Sequence, residues 1–223
     1  MQRLLPLSSA ALGLLLLAGC AAPAGAFFLA FWLLPALRGL GFDIPVQPQG
    51  AFYLYADVSA LTGDTIHLAI REYDEVLYLH KNPGRNGPEM RSRVGHRMPL
   101  ARTGIGKALM LDDSPQEWQR LYEASLPTAG KSLQWPQHPE QSWAQLEQRM
   151  HEYVEGGYAF DLEDNEPSIR CVAAPVRDAS RRIVAGISIA STVPYMPLEK
   201  MAELIPVIKQ VAARLSAQLG AKA

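Results

Sequence analysis

Residues 91–111 read RSRVGHRMPLARTGIGKALML, and how Thr103-Gly-Ile-Gly106 is taken decides what the chain is built around. Glycine at 104 and 106 lets another group approach the backbone closely. The segment that follows, KALML, is made of good helix formers, and Asp112, Asp113 and Ser114 end it. A turn that opens a helix presents unpaired N–H groups and the positive end of the helix dipole together, a setting that suits a small carboxylate or keto acid. The alternative is that these glycines only tighten a strand-to-helix turn. The run is no nucleotide-binding loop, because the glycine spacing is wrong and Ala108 stands where Ser or Thr is needed. Just ahead of it, residues 90–94 are expected to form a strand.

Working outward toward the C-terminus, Ser114-Pro-Gln-Glu117 supplies a capping serine, a first-turn proline and a glutamate three residues on, which opens a helix through QEWQRLYEA. A Trp/Pro/Gln-rich loop leads to a longer helix over residues 140–155. Its Trp143, Leu146, Met150 and Val154 recur at spacings of three and four and are expected to be one buried face. Gly156-Gly157 stops it. Three strands follow, at 158–162, 169–176 and 183–192, the last two forming a hairpin about RDASRR. A final helix over about 198–219 places Met201, Leu204, Ile205, Ile208, Val211, Leu215 and Leu219 on one side, and Pro206 is expected to kink or divide it. Toward the N-terminus, residues 65–70 and 75–80 flank the polar turn REYD as another hairpin, followed by the loop KNPGRNGP. The sum is an antiparallel sheet with helices packed on it: an α+β domain over residues 65–223, preceded by a hydrophobic N-terminal segment.

Composition narrows the function classes. Hydrophobic residues make up 48% of the 223, enough for a proper core. Lys and Arg number 21 against 22 Asp and Glu, so no global field draws in nucleic acid or an acidic membrane surface. Cys20 and Cys171 form neither a disulfide framework nor a metal knuckle. His67, His80, His96, His138 and His151 are scattered, none at a metal-ligand spacing from Cys or a carboxylate. Lys81, Arg85, Arg91, Arg93 and Arg97 are expected to be a solvated loop and strand face. No cofactor or metal is expected, and no Ser-His-Asp or Cys-His arrangement can be nominated.

Three runs in this order and spacing carry a resemblance: RSRVGHRMPLARTGIGKALML, then EGGYAFDLEDNEPSIRCVAAPVRDASRRIVAGISIAST, then the terminal AARLSAQLG. Residues 65–220 resemble the effector-binding domain of IclR-type bacterial transcriptional regulators, a GAF/PAS-like fold. The resemblance implies a cytoplasmic ligand sensor that catalyses nothing, forms a homodimer or homotetramer, and answers to a small organic acid, either a keto acid or a sugar acid. The HLAI start and the SRVGHRMPL run look like the subgroup that senses sugar acids. Such regulators read DNA through a winged helix-turn-helix. None is recognisable ahead of Thr65, so DNA binding is expected only if that domain is supplied elsewhere.

Carried over onto this chain, the resemblance implies an effector pocket with Met90 and Met98 as adaptable apolar wall and Gly104 and Ile105 as backbone donors. Asp161 and Cys171 point inward from adjacent strands, Ile169 shares the Cys171 face, and Ser188 offers a hydroxyl. Some family members carry a second serine where this chain has Ala190. The residues themselves leave other roles open. Cys171 beside CVAAPV reads equally as a small core residue, and Asp161 within DLEDNE as part of a solvated loop. Ser188, among Ile, Gly and Ala, is harder to set aside, because a buried hydroxyl needs a partner.

Residues 1–64 read differently. MQRLLPLSSAALGLLLLAGC has the basic, apolar and small-residue regions of a secretory signal, and LAGC looks like a bacterial lipobox that would place a lipid on Cys20. Residues 1–37 are therefore a signal- or anchor-like segment, and a membrane-anchored, lipoprotein-like small-molecule binding protein is the second reading. A buried helix or a mistaken translation start are the others. Next, PALRGLGFDIPVQPQGAFYLYADVSALTGD resembles a fragment of fold-type I pyridoxal-phosphate-dependent aminotransferases, and residues 38–64 are set apart on that ground. No Schiff-base lysine, pyridine-nitrogen aspartate or phosphate cup accompanies it, so aminotransferase chemistry is only a remote alternative. A strand at 52–58 is the most the fragment contributes.

Overall fold

A computed structural model describes residues 61–126 and 142–221 of the chain, all within the unit Gly50–Ala223. The signal-like segment with Cys20, the strand expected at 52–58, His138 and the start of the helix expected at 140–155 lie outside the described residues.

Six strands make one antiparallel sheet: β1 (Thr65–Glu72), β2 (Glu75–Asn82), β3 (Arg97–Pro99), β4 (Ala159–Leu162), β5 (Ile169–Arg177) and β6 (Ile183–Thr192). Their order is β3-β2-β1-β6-β5-β4, so the middle of the sheet joins the two hairpins through β1 and β6. Among the described residues four α-helices accompany the sheet: α1 (Gly104–Leu109), α2 (Pro115–Ser125), α3 (Trp143–Gly156) and α4 (Leu198–Gln218). Local chemistry fixes their ends. The Ser114 side chain caps α2, and Ser142 with Gln145 forms a reciprocal capping box on α3. Gly157 closes α3 at φ 67°, a conformation that glycine adopts without strain.

Successive strand residues point to opposite faces, and the two faces are covered unequally. On one face Ile66, Leu68, Val172, Ile187 and Ile189 are buried, in register across β1, β6 and β5. The α4 residues Met201, Leu204, Ile208, Val211 and Leu215 are buried with them, and the Arg177 amide donates to Ser216 Oγ at 2.8 Å. The other face takes α1 with α2 and α3. There Ala69, Val76, Tyr78, Ile105, Leu109, Trp118, Leu146 and Met150 belong to one apolar cluster.

Four expectations change. Residues 90–94 are not a strand, and the short β3 lies further on, pairing Arg97–Pro99 with β2. Val154 is 44% exposed, and Tyr153 is buried instead, packing its ring on Tyr158 and Phe160. Pro206 leaves α4 undivided. Pro206 and Ala202, whose carbonyl loses its donor, both lie on the exposed side of α4, where a missing backbone hydrogen bond costs least. In α4, Ile205 and Leu219 are only partly buried.

Candidate functional site

Helix α1 has six residues and is buried throughout, too short to cover the sheet it lies on. It sits over Gly186 of β6, where an added Cβ would come within 2.9 Å of Ile105 Cγ1. Beyond that contact the sheet is uncovered and a cavity of about 460 Å³ opens. Of the residues that the sequence nominates, Met90, Met98, Ile105, Asp161, Ile169, Cys171 and Ser188 line it together. Gly104 does not. An added Cβ there would lie 2.5 Å from Cys171 Sγ and 2.9 Å from the Asp161 nitrogen, so Gly104 packs behind the wall rather than in it.

Register builds the floor. Asp161 pairs with Cys171, and Cys171 with Ala190; Ser188 pairs with Ala173 on one side and His67 on the other. Cross-strand partners share a face, so Asp161, Cys171, Ser188 and His67 all point toward the cavity. Ser188 is only 2% exposed, lines the cavity, and its hydroxyl has no hydrogen-bond partner among the described residues.

The helix start offers fewer donors than the glycine pattern suggests. Thr103 Oγ1 accepts from the Gly106 amide at 2.9 Å, and the Lys107 amide donates to the Thr103 carbonyl. The Gly104 and Asp161 amides are directed at the Cys171 sulfur. The Ile105 amide remains, without a partner among the described residues and beside the cavity.

Behind the floor lies an ionic cluster that no local sequence pattern marks. Lys107 is fully buried. Its Nζ donates to Asp164 Oδ2 at 2.5 Å and to the Phe160 carbonyl at 3.2 Å, while Arg149 Nη2 donates to Asp164 Oδ1 at 2.9 Å. Burial pushes the Asp164 carboxyl up, but Lys107 and Arg149 outweigh it and hold the group below the usual range. Asp161 differs. Its Oδ1 accepts from the Asp164 amide at 2.8 Å, and no cation pairs with it among the described residues. Burial pushes its carboxyl up to about 7, against the pull of Lys107 and with the Asp164 charge adding to the rise. Asp161 is 4% exposed, so the solvated-loop reading does not describe it.

The opposite wall comes from residues 90–96, a lip that the sequence reading takes as strand and solvated basic face. Met90, Arg91, Ser92, Arg93 and His96 line the cavity. The lip is pinned at several points. Ser92 Oγ and His67 Nε2 are hydrogen-bonded at 2.7 Å, and Lys81 Nζ donates to the Met90 carbonyl at 2.7 Å. The Gly95 amide donates to the Tyr78 carbonyl at 2.8 Å. Elsewhere in the basic cluster, Arg97 pairs with Glu72 and Glu75. His67 escapes sequence reasoning because nothing local marks it; only its register opposite Ser188 places it here. Burial, aided by Lys81 and His80, pushes its pKa down to about 3, so it is a neutral hydrogen-bonding group.

This chemistry is that of a binding site. Burial pushes the Cys171 thiol well above its ordinary pKa, so the sulfur is protonated and a poor nucleophile. Among the described residues no three His, Cys, Asp or Glu side chains are placed to hold a metal. The cavity presents hydroxyls, an amide, a carboxyl and a neutral imidazole to a small polar molecule.

Comparison with known proteins places this architecture. The family model for the bacterial transcriptional regulator IclR C-terminal domain matches residues 51–217. The chain belongs to the IclR family. Among curated IclR-family relatives, it is 30% identical to the HTH-type transcriptional regulator KdgR of Escherichia coli (strain K12) over 74% of this chain and 60% of that protein. To the HTH-type transcriptional regulator XynR of the same strain it is 32% identical, over 74% of this chain and 63% of the relative. The chain thus spans about three fifths of the curated regulators it matches. Among solved structures, the C-terminal domain of E. coli KdgR aligns with TM-score 0.62 at 28% identity, covering 78% of this chain and 98% of that one. Thermotoga maritima IclR aligns with TM-score 0.65 at 29% identity, over 76% of this chain and 67% of the other. These relatives are transcriptional regulators, not enzymes. Among the described residues no helix is long and apolar enough to cross a membrane.

Proposed function

We propose that this domain is the cytoplasmic effector sensor of an IclR-family regulator and that its ligand, a small organic acid of the keto-acid or sugar-acid class, occupies the cavity between α1, the sheet and the 90–96 lip. Residues 65–223 form the sensor, which acts as a homodimer or homotetramer and controls transcription through a DNA-reading winged helix supplied outside it. One observation carries the reading: Ser188 is buried, faces the cavity and has no hydrogen-bond partner among the described residues. Its hydroxyl opens onto the cavity, where it can hydrogen-bond a ligand or the water that a ligand displaces. The Ile105 amide is a second free donor on the same wall.

The test is calorimetric titration of the full chain with a panel of keto acids and sugar acids. At least one member is expected to bind, and Ser188→Ala is expected to weaken it by about 1 kcal/mol or more, roughly fivefold. Binding by none of the panel overturns the sensor reading. Unchanged affinity in Ser188→Ala removes that hydroxyl from the ligand's contacts.

A further inference from the structure

Between β2 and β3 the chain makes a single excursion, residues 83–96, whose two halves hold different neighbours. β2 leaves the sheet at Asn82, opposite Ile66 near the start of β1. The first half of the excursion then packs on residues 62–65, the stretch that joins β1 to whatever lies N-terminal of it. The second half is the lip, which lines the cavity with Met90, Ser92 and His96.

The first half is knotted to residues 62–65 largely through backbone. The Arg85 and Asn86 amides both donate to the Gly63 carbonyl, at 2.8 and 2.9 Å. The Gly84 amide donates to Thr65 Oγ1 at 3.0 Å. Asn86 Nδ2 donates to the Thr62 carbonyl at 3.1 Å and to Asp64 Oδ1 at 3.4 Å. So close an approach requires glycine: a Cβ on Gly84 would lie 2.6 Å from the Asp64 carbonyl carbon and 2.7 Å from the Gly63 oxygen. Asp64 is fully buried, and Lys200 of α4 pairs with it at 2.7 Å.

The second half is anchored on the sheet at the Met90 carbonyl, Ser92 Oγ and the Gly95 amide. His67, which holds Ser92, stands two residues beyond Thr65 on the same strand. Only Gly87, Pro88 and Glu89 separate Asn86 in the knot from Met90 in the lip, and Pro88 has a fixed φ. A spacer this short and stiff has little slack to absorb a displacement of either half.

We infer that residues 83–96 are a two-ended relay: displacing the lip at the cavity loosens the grip on residues 62–65, and loosening that grip frees the lip. Coupling between two sites is reciprocal by thermodynamic necessity. The regulatory meaning of the relay rests on the sensor reading above, in which the lip meets the effector and a DNA reader outside residues 65–223 is joined through 62–65.

Hydrogen exchange of individual amides in the full chain, without ligand, tests the coupling. Ser92→Ala cuts the lip from His67, and Gly84→Ala crowds the loop away from residues 63–65. Ser92→Ala is expected to speed exchange at Arg85 and Asn86 by about fivefold or more, and Gly84→Ala to do the same at Gly95 and His96. The amides of β5 and β6 are expected to keep their wild-type rates in both. Should Gly84→Ala fail to fold, Asn86→Ala takes its place, removing the side-chain bonds to Thr62 and Asp64 without crowding the backbone. The relay is overturned if each variant speeds exchange only in its own half. It is equally overturned if β5 and β6 loosen by the same factor, because the whole domain then opens. That failure would leave the sensor reading standing, whereas a chain that bound none of the keto acids and sugar acids would lose the sensor reading and keep the coupling.

Discussion

On the α4 side of the sheet, Ile66, Leu68, Val172, Ile187 and Ile189 are sealed under a helix of 21 residues. On the α1 side, the residues between them, His67, Cys171 and Ser188, face a cavity that a six-residue helix leaves open. The same strands supply both faces. A long amphipathic helix converts alternate strand positions into core, and polar groups there would cost free energy. A short helix capped by Thr103 and kept close by Gly186 holds only one end of its face shut. Sequence alternation sets which residues face which side, and helix length sets which side can take a ligand.

The largest expected effect tests what supports the open face. Lys107→Met removes the buried cation and leaves Asp164 with Arg149 alone. Breaking a buried ion pair from one side costs about 3–5 kcal/mol, read as the loss of unfolding free energy in urea. Asp164→Asn in the same chain is expected to recover part of that loss, because the stranded charge is gone. A loss below about 1 kcal/mol for Lys107→Met would mean that the open face does not depend on this cluster.

The next effect compares the faces directly at neighbouring positions. Ile187→Ala creates a cavity under α4 and is expected to cost about 2–4 kcal/mol. Ser188→Ala, one residue on, removes a hydroxyl that no group among the described residues uses and is expected to change stability by less than about 0.5 kcal/mol. Equal costs at the two positions would erase the distinction between a sealed face and an open one.

Much of this was legible in the sequence where the signal was local. The β5–β6 hairpin shows about the turn RDASRR, α2 announces its start through Ser-Pro-Gln-Glu, and Ser188 stands out as a polar letter in an apolar strand. What was hidden depends on partners far away in the chain. His67 becomes a cavity residue only because β1 pairs with β6. Lys107 looks like an ordinary helix lysine until Asp164, far along the chain, closes on it. Residues 90–94 of the lip read as strand because its anchors, Ser92 to His67 and Lys81 to the Met90 carbonyl, leave no periodic pattern. Val154 and Tyr153 show a smaller failure of the same kind: helical spacing admits either, and the Tyr158 and Phe160 rings choose.

The smallest effect is carried by protons and places the asymmetry within the cavity itself. Asp161 is pushed up to about 7, above the usual value of about 4. Between those values the folded chain keeps a proton that the unfolded chain has lost, so this group makes stability fall as pH rises through the window. His67 is pushed down to about 3, below the usual value of about 6.5. The unfolded chain takes up a proton there first, so this group makes stability fall as pH drops through that window. From about pH 4 to 6.5 the two slopes oppose each other, and the wild-type curve of melting temperature against pH is expected to be comparatively flat. Asp161→Asn is expected to tilt it upward with pH and His67→Gln downward, each by more than about 1 kcal/mol across the window. Asparagine can still accept from the Asp164 amide and glutamine can still meet Ser92, so the tilt reports charge rather than lost contacts. Curves for wild type and Asp161→Asn that ran parallel from pH 4 to 8 (a range on the order of both shifts) would mean that Asp161 is offset by a nearby cation.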